Sequence, residues 1–263
     1  MDTNSNQARR VVIGITAHVD AGKTTLAEAM LYRTGRLRKL GRVDHGSAAM
    51  DSHLLERERG ITIFSSQAEL PVGELEVTLL DTPGHVDFSA EMERTLSVLD
   101  YAILVISGAD GVQAHTRTLW RLLELYRIPT FLFVTRMDFG RCGRGQMMEH
   151  LRHELGEGCV DFTPADRERR MEQLATCRED ALEAYLDGGE VPDALVRQLV
   201  GRRLVFPCWF GSGLKLEGID EFLEGLARYV EPPVYPETFS ARVFKISHDP
   251  QGKRLTHLKV TGG

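Results

Sequence analysis

Short, almost wholly apolar runs recur along this chain, and longer stretches follow them in which apolar residues return every three or four positions. Val11 to Ile15 reads as a buried strand, and it leads through a loop into a helix predicted over Thr24 to Tyr32. Ile61 to Pro71 and Leu75 to Leu80 read as strands joined by a turn at Gly73, so one hairpin is expected to add an antiparallel edge. Tyr101 to Ile106 and Thr130 to Val134 have the continuous apolar character of buried strands. Between them Val112, Thr116, Leu119, Leu123 and Tyr126 mark one face of a helix. Phe206 to Phe210 is the last strand of the series. Ile219, Phe222, Leu223, Leu226 and Val230 line one side of the helix that closes it. This alternation predicts an α/β fold, a mostly parallel sheet with helices on both faces.

Two segments break the pattern. Residues 140–204 carry helical signals at Met171, Leu174, Ala181, Leu182 and Tyr185 but no convincing strand, which predicts a helical insertion before the last strand. Glu231 to Glu237, EPPVYPE, is too rich in proline to be helical and reads as a linker. Beyond it Phe239 to Ile246 and Leu255 to Val260 alternate as strands. Two strands cannot bury a core alone, so they are expected to open a truncated β-barrel domain. The expected organisation is one α/β domain over 1–230, a linker over 231–237 and an incomplete β-rich domain over 238–263.

Composition narrows the setting. The 263 residues are 42% hydrophobic and 27% charged, an ordinary globular balance. The opening MDTNSNQARR lacks the apolar core of a signal peptide, and the aliphatic run Tyr101 to Ile106 is far too short for a bilayer. A cytoplasmic location without a membrane partner is expected. Cys142, Cys159, Cys177 and Cys208 are widely separated and form no CxxC pair, so free thiols are expected. A net charge of −6 gives no overall drive toward nucleic acid; the exception is the basic run Arg33, Arg36, Arg38, Lys39 and Arg42.

The candidate chemistry lies at two strand ends. AHVDAGKTT, Ala17 to Thr25, stands between a strand and a helix, as the phosphate-binding pattern G-x-x-x-x-G-K-[ST] requires. Backbone N–H groups from Asp20, Ala21 and Gly22 and from the helix start at Lys23, Thr24 and Thr25 can surround a phosphate chain. Gly22 allows close approach, Lys23 brings a positive charge to the terminal phosphates, and Thr24 can ligate magnesium. The pattern's first glycine is Ala17, a departure. DTPGH, Asp81 to His85, follows the strand ending at Leu80: Asp81 can hold a magnesium-bound water, and Gly84 can offer its N–H to the terminal phosphate. Together the two motifs predict the phosphate-loop NTPase fold in its GTPase form.

AHVDAGKTTL, RGITI (Arg59 to Ile63) and DTPGHVDF (Asp81 to Phe88) resemble the phosphate-side motifs of translational GTPases, and the resemblance extends over essentially the whole chain. LLERERGITI, TLSVLDYAILVISGADGVQAHT and ARVFKI point toward the ribosomal protection proteins of tetracycline resistance, with elongation factor G a near relative. The resemblance implies GTP and GDP as ligands, magnesium as cofactor, a monomeric domain, and the ribosome, its RNA and proteins, as activating partner. It implies that Thr62 closes on magnesium and the terminal phosphate, and that His85 orients the attacking water. Val19 and Ile61 resemble the apolar gate that holds this histidine away, and Asp20 lies beside the site. It also implies that the segment from about Arg36 to Gly60 is held by phosphate and magnesium and released after hydrolysis. The basic run bordering that segment is either a ribosomal RNA contact or plain solvated surface. His18 and His115 are expected to be satisfied or solvent-facing.

The guanine-reading segments depart from the family pattern. TRMD, Thr135 to Asp138, stands in place of Asn-Lys-x-Asp. The Asp138 carboxylate can accept from both guanine ring N–H groups, and Arg136 can stack over the base. The Thr135 hydroxyl cannot reproduce both the donor and the acceptor of an asparagine amide. GSG, Gly211 to Gly213, stands where the family has Ser-Ala; Ser212 and the Gly213 N–H are expected to support the guanine carbonyl, with Gly213 loosening the loop. The resemblance leaves open another translation factor, such as an elongation factor G paralogue, and the departures leave open a nucleotide-sensing module without hydrolysis. A phosphate-loop kinase or ATPase is disfavoured, because RGITI and DTPGH together suit a two-switch hydrolase.

Overall fold

The central sheet contains β1 (Arg9–Ala17), β2 (Ser66–Val72), β3 (Leu75–Asp81), β4 (Tyr101–Ser107), β5 (Thr130–Thr135), β6 (Cys159–Asp161) and β7 (Phe206–Phe210). Their order across the sheet is β2-β3-β1-β4-β5-β7-β6. The structure, a computed structural model, describes residues 9–38, 66–82, 89–139, 142–163, 167–249 and 251–263. Every pairing in the sheet is parallel except β2 with β3, an antiparallel hairpin at one edge. Its turn passes through Gly73 at φ +59°, where a side chain would be strained. The expected hairpin is present, but β2 begins at Ser66, and 61–65 lie outside the described residues.

The helices are α1 (Lys23–Arg33), α2 (Ser89–Leu96), α3 (Ala114–Leu125), α4 (Arg144–Leu155), α5 (Arg167–Cys177), α6 (Glu179–Gly188), α7 (Asp193–Gly201) and α8 (Ile219–Tyr229). The two-residue period of the strands divides the core between the faces of the sheet. Ile103, Val105, Phe131, Phe133 and Trp209 face the layer built by α1, α5, α7 and α8. Their neighbours Ala102, Leu104, Ile106, Leu132, Val134 and Cys208 face α2, α3 and α4. On α3, Thr116, Leu119, Trp120 and Leu123 are buried. Tyr126, expected on that face, is 38% exposed at the helix C-cap, where the backbone has already left the periodic stripe.

Within 140–204 the structure adds a strand absent from the expectation. β6 is three residues long and pairs parallel with Phe206–Cys208 of β7 at the far sheet edge. So short a run has no periodicity of its own; pairing defines it. The four cysteines are free thiols, Cys159 and Cys208 buried and Cys142 and Cys177 half-buried. No helix among the described residues is long and apolar enough to cross a membrane.

Residues 231–237 form no regular element, and β8 (Ser240–His248) and β9 (Arg254–Gly262) follow as an antiparallel pair. Val243, Ile246, Leu258 and Val260 remain about half exposed, so this pair buries little apolar surface. Polar contacts tie it to the turn before β4: Lys259 Nζ reaches Asp100 at 2.5 Å and the Val98 carbonyl at 2.9 Å, and Arg242 reaches the Ser97 carbonyl at 2.6 Å. Burial lowers the Lys259 pKa, opposed by Asp100.

Candidate nucleotide site

Because β1, β3, β4, β5 and β7 are parallel, their C-terminal ends lie along one edge, where α/β sheets bind ligands. From β1 the chain turns through Ala21, whose N–H donates to the His18 carbonyl at 3.2 Å, and enters α1 at Lys23. Gly22 caps the helix at φ +92°, so its glycine is demanded by the turn itself. The first turn of α1 carries no acidic residue and Gly22 gives it no side-chain cap, which leaves the positive helix end suited to an anion. Thr24 and Thr25 are half-buried in that turn; Asp20, exposed at φ +63°, lies just before it.

Lys23 is 8% exposed, and its ammonium contacts the carboxylate of Asp81, fully buried at the end of β3. Asp81 is set by register opposite Ile15 of β1, and the Thr82 hydroxyl beyond it donates to the Ile15 carbonyl at 2.9 Å. Two residues 58 positions apart, expected to serve phosphate and magnesium, are thus brought together.

The segment expected to read guanine closes on the same loop. The buried Thr135 hydroxyl lies 2.7 Å from the Ala21 carbonyl and 3.3 Å from that of Ile106; it has one proton, and the shorter contact takes it. Threonine therefore supplies one of the bonds an asparagine amide makes, and directs it to the phosphate loop. Thr135→Val is expected to weaken GDP binding by about 1 kcal/mol and Thr135→Asn to strengthen it comparably, as calorimetry would read. Arg136 is exposed at φ +55°. Asp138 is exposed and meets Lys215 at 2.8 Å, a contact that holds its carboxyl below the usual range.

Lys215 is missing from the sequence reading. Its only sequence signal is a basic residue just past GSG. The GSG loop is pinned by reciprocal backbone bonds, Ser212 N–H to Glu217 O at 2.9 Å and Glu217 N–H to Ser212 O at 3.0 Å. Gly213 packs this loop against the start of α1. A Cβ there would stand 2.8 Å from the Thr25 carbonyl oxygen and 3.1 Å from the Leu26 nitrogen, so glycine lets the loop close on α1. Gly213→Val is expected to lower stability by about 1–3 kcal/mol in denaturant titrations, with Gly213→Ala milder, because backbone must move.

His115 is not solvent-facing: it is 9% exposed, its ring 5.9 Å from that of His18 in the phosphate loop. Arg33, Arg36 and Arg38 are exposed, and Arg33 pairs with Asp220 at 3.3 Å. Ile61, Thr62, Gly84, His85, Lys39, Arg42 and the proposed switch segment past Arg38 lie outside the described residues.

The loop Asp20–Thr25, the strand-end Asp81 and the segment Thr135–Asp138 thus meet at one sheet edge, and residues 8–232 match the family described as Elongation factor Tu GTP binding domain. The chain belongs to that family. This GTP-binding domain is 38% identical to the oxytetracycline resistance protein of Streptomyces rimosus and 32% identical to tetracycline resistance protein TetO of Campylobacter jejuni. It is 35% identical to TetM from transposon Tn916 of Enterococcus faecalis. Each likeness covers 95% of this chain but 42% of the relative, so the chain spans less than half the length of these curated relatives. A crystal structure of a Thermus thermophilus protein superposes with a TM-score of 0.86 at 27% identity, over 97% of this chain and 46% of that one.

Proposed function

We propose that this chain is the GTP-binding and GTP-hydrolysing part of a ribosome-stimulated translation GTPase of the tetracycline-resistance ribosomal protection type. The observation that carries the nucleotide assignment is the Thr135–Ala21 bond, which joins the guanine segment to the phosphate loop. The likeness to TetO, TetM and the oxytetracycline resistance protein supports the ribosomal role. Lys23 neutralises the terminal phosphates, Asp138 and Arg136 select the base, and Ser212 and Gly213 support its carbonyl. Thr24 and Asp81 offer hard oxygen donors at the phosphate end, a set that fits magnesium. Bound there with Thr62, the ion would spread the negative charge of the phosphates. His85 orients water, and Gly84 receives the terminal phosphate.

Calorimetry with magnesium and GDP, GTP or ATP tests the base assignment; equal ATP and GTP affinity would sink it. In the full-length protein, His85→Ala is expected to abolish ribosome-stimulated turnover while GTP affinity stays nearly unchanged. A large affinity loss would make His85 structural, and hydrolysis indifferent to ribosomes in the unaltered protein would favour a GTPase unrelated to translation.

A further inference from the structure

Asp138 lies in the turn that follows β5, with its side chain 40% exposed. A carboxylate so placed turns about its own bond unless a neighbour holds it. Lys215 comes from the loop after β7, and its ammonium donates to Asp138 Oδ2 at 2.8 Å. The loop that carries it is itself held. The Lys215 backbone N–H donates to Ser212 Oγ at 3.3 Å, reciprocal backbone bonds join Ser212 to Glu217, and Gly213 seats the loop against Thr25. The shared hydrogen bond raises the Lys215 pKa and lowers that of Asp138, so each favours the charged form of the other.

A carboxylate offers about four lone-pair directions. On Asp138 the ammonium uses one, on Oδ2, and the residue's own backbone N–H uses another. About two remain, the number that a guanine edge needs, so Lys215 and the base can be held together. This inference rests on the reading of Asp138 as the carboxylate that recognises the base. Guanine presents two donors to it, the ring N–H and the 2-amino group. Hypoxanthine lacks the amino group and presents one donor; adenine presents none at that edge. A freely turning carboxylate can meet one donor in many orientations, but two donors only when both oxygens lie in the plane of the base. An ammonium fixed on Oδ2 limits that turning. Solvent screens so exposed a pair, so its consequence lies in recognition and not in the fold.

We propose that Lys215 is a positioning residue for base recognition: it orients the Asp138 carboxylate for two-point contact and so sets the preference for guanine over hypoxanthine. The test measures GDP, inosine diphosphate and ADP affinity with magnesium for the whole chain as wild type, Lys215→Met and Lys215→Arg. In Lys215→Met, which keeps an apolar stem and removes the charge, GDP affinity is expected to fall about three- to fivefold, the range of a screened ion pair. Inosine diphosphate affinity should fall by less than about twofold and ADP affinity not at all, because neither base needs both oxygens. Lys215→Arg should restore the preference for GDP over inosine diphosphate, and denaturant midpoints should stay unchanged in both variants. Unchanged GDP affinity in Lys215→Met overturns the proposal, and a gain overturns it by showing that the ammonium competes with the base. A parallel fall for all three nucleotides, or a loss that arginine does not restore, overturns it by assigning the effect to loop shape. Equal GDP and ADP affinity in the wild type would overturn the base assignment itself, a result read on the unaltered chain and so distinct from the others.

Discussion

Lys23→Ala is expected to remove measurable GTP and GDP binding, a loss of at least about two orders of magnitude. A hydrogen bond to a charged group contributes about 1.5–3 kcal/mol, and the ammonium is expected to bridge more than one phosphate oxygen. The same substitution should also destabilise the nucleotide-free domain. Lys23 is 8% exposed and Asp81 fully buried, so removing the ammonium deprives a desolvated carboxylate of its contacting cation. Breaking such a pair from one side costs about 3–5 kcal/mol, whereas replacing both partners is often close to neutral. Denaturant titrations of Lys23→Ala, Asp81→Asn and the double variant would measure this. The double variant should recover part of the stability lost in Lys23→Ala and none of the nucleotide binding. Unchanged stability in Lys23→Ala would mean that the contact with Asp81 contributes nothing to the fold.

Asp138→Ala is expected to lower GDP affinity by at least about a hundredfold while ADP affinity stays where it was. A site built to pair polar groups discriminates by leaving them unpaired, and such sites reach about 10⁴–10⁵ in selectivity. The hydrogen bond from Lys215 holds the Asp138 pKa below its ordinary value. Lys215 itself should matter little to stability: its side chain is 50% exposed and that of Asp138 40%, and solvent screens such a pair. Competition between GDP and ADP for the wild type, Asp138→Ala and Lys215→Ala separates base recognition from the ion pair. A parallel fall in GDP and ADP affinity in Asp138→Ala would show that the residue shapes the loop and does not read the base.

The buried strands, the helix after the phosphate loop and the antiparallel edge hairpin were legible in the amino-acid order. Each is written in a local signal: a period of two or of 3.6, an apolar run, or a turn glycine such as Gly22 or Gly73. The placement of AGKTT and Asp81 was legible for the same reason, since each stands at the end of a strand that the pattern already shows. Pairing across the sheet was not. β6 exists because β7 lies beside it, and its three residues carry no period. Lys215 stands 77 residues from Asp138, and their contact follows from the adjacency of β5 and β7. Gly213 reads as a loose loop residue until α1 is seen against it, and Thr135 as a loss until Ala21 is found 2.7 Å away. The sequence by itself determined which segments are strands and helices and which residues carry charge to the strand ends, because those depend on burial and turn geometry within a few positions. Only the tertiary structure decided which of them touch, because strand order and register set that over tens of residues.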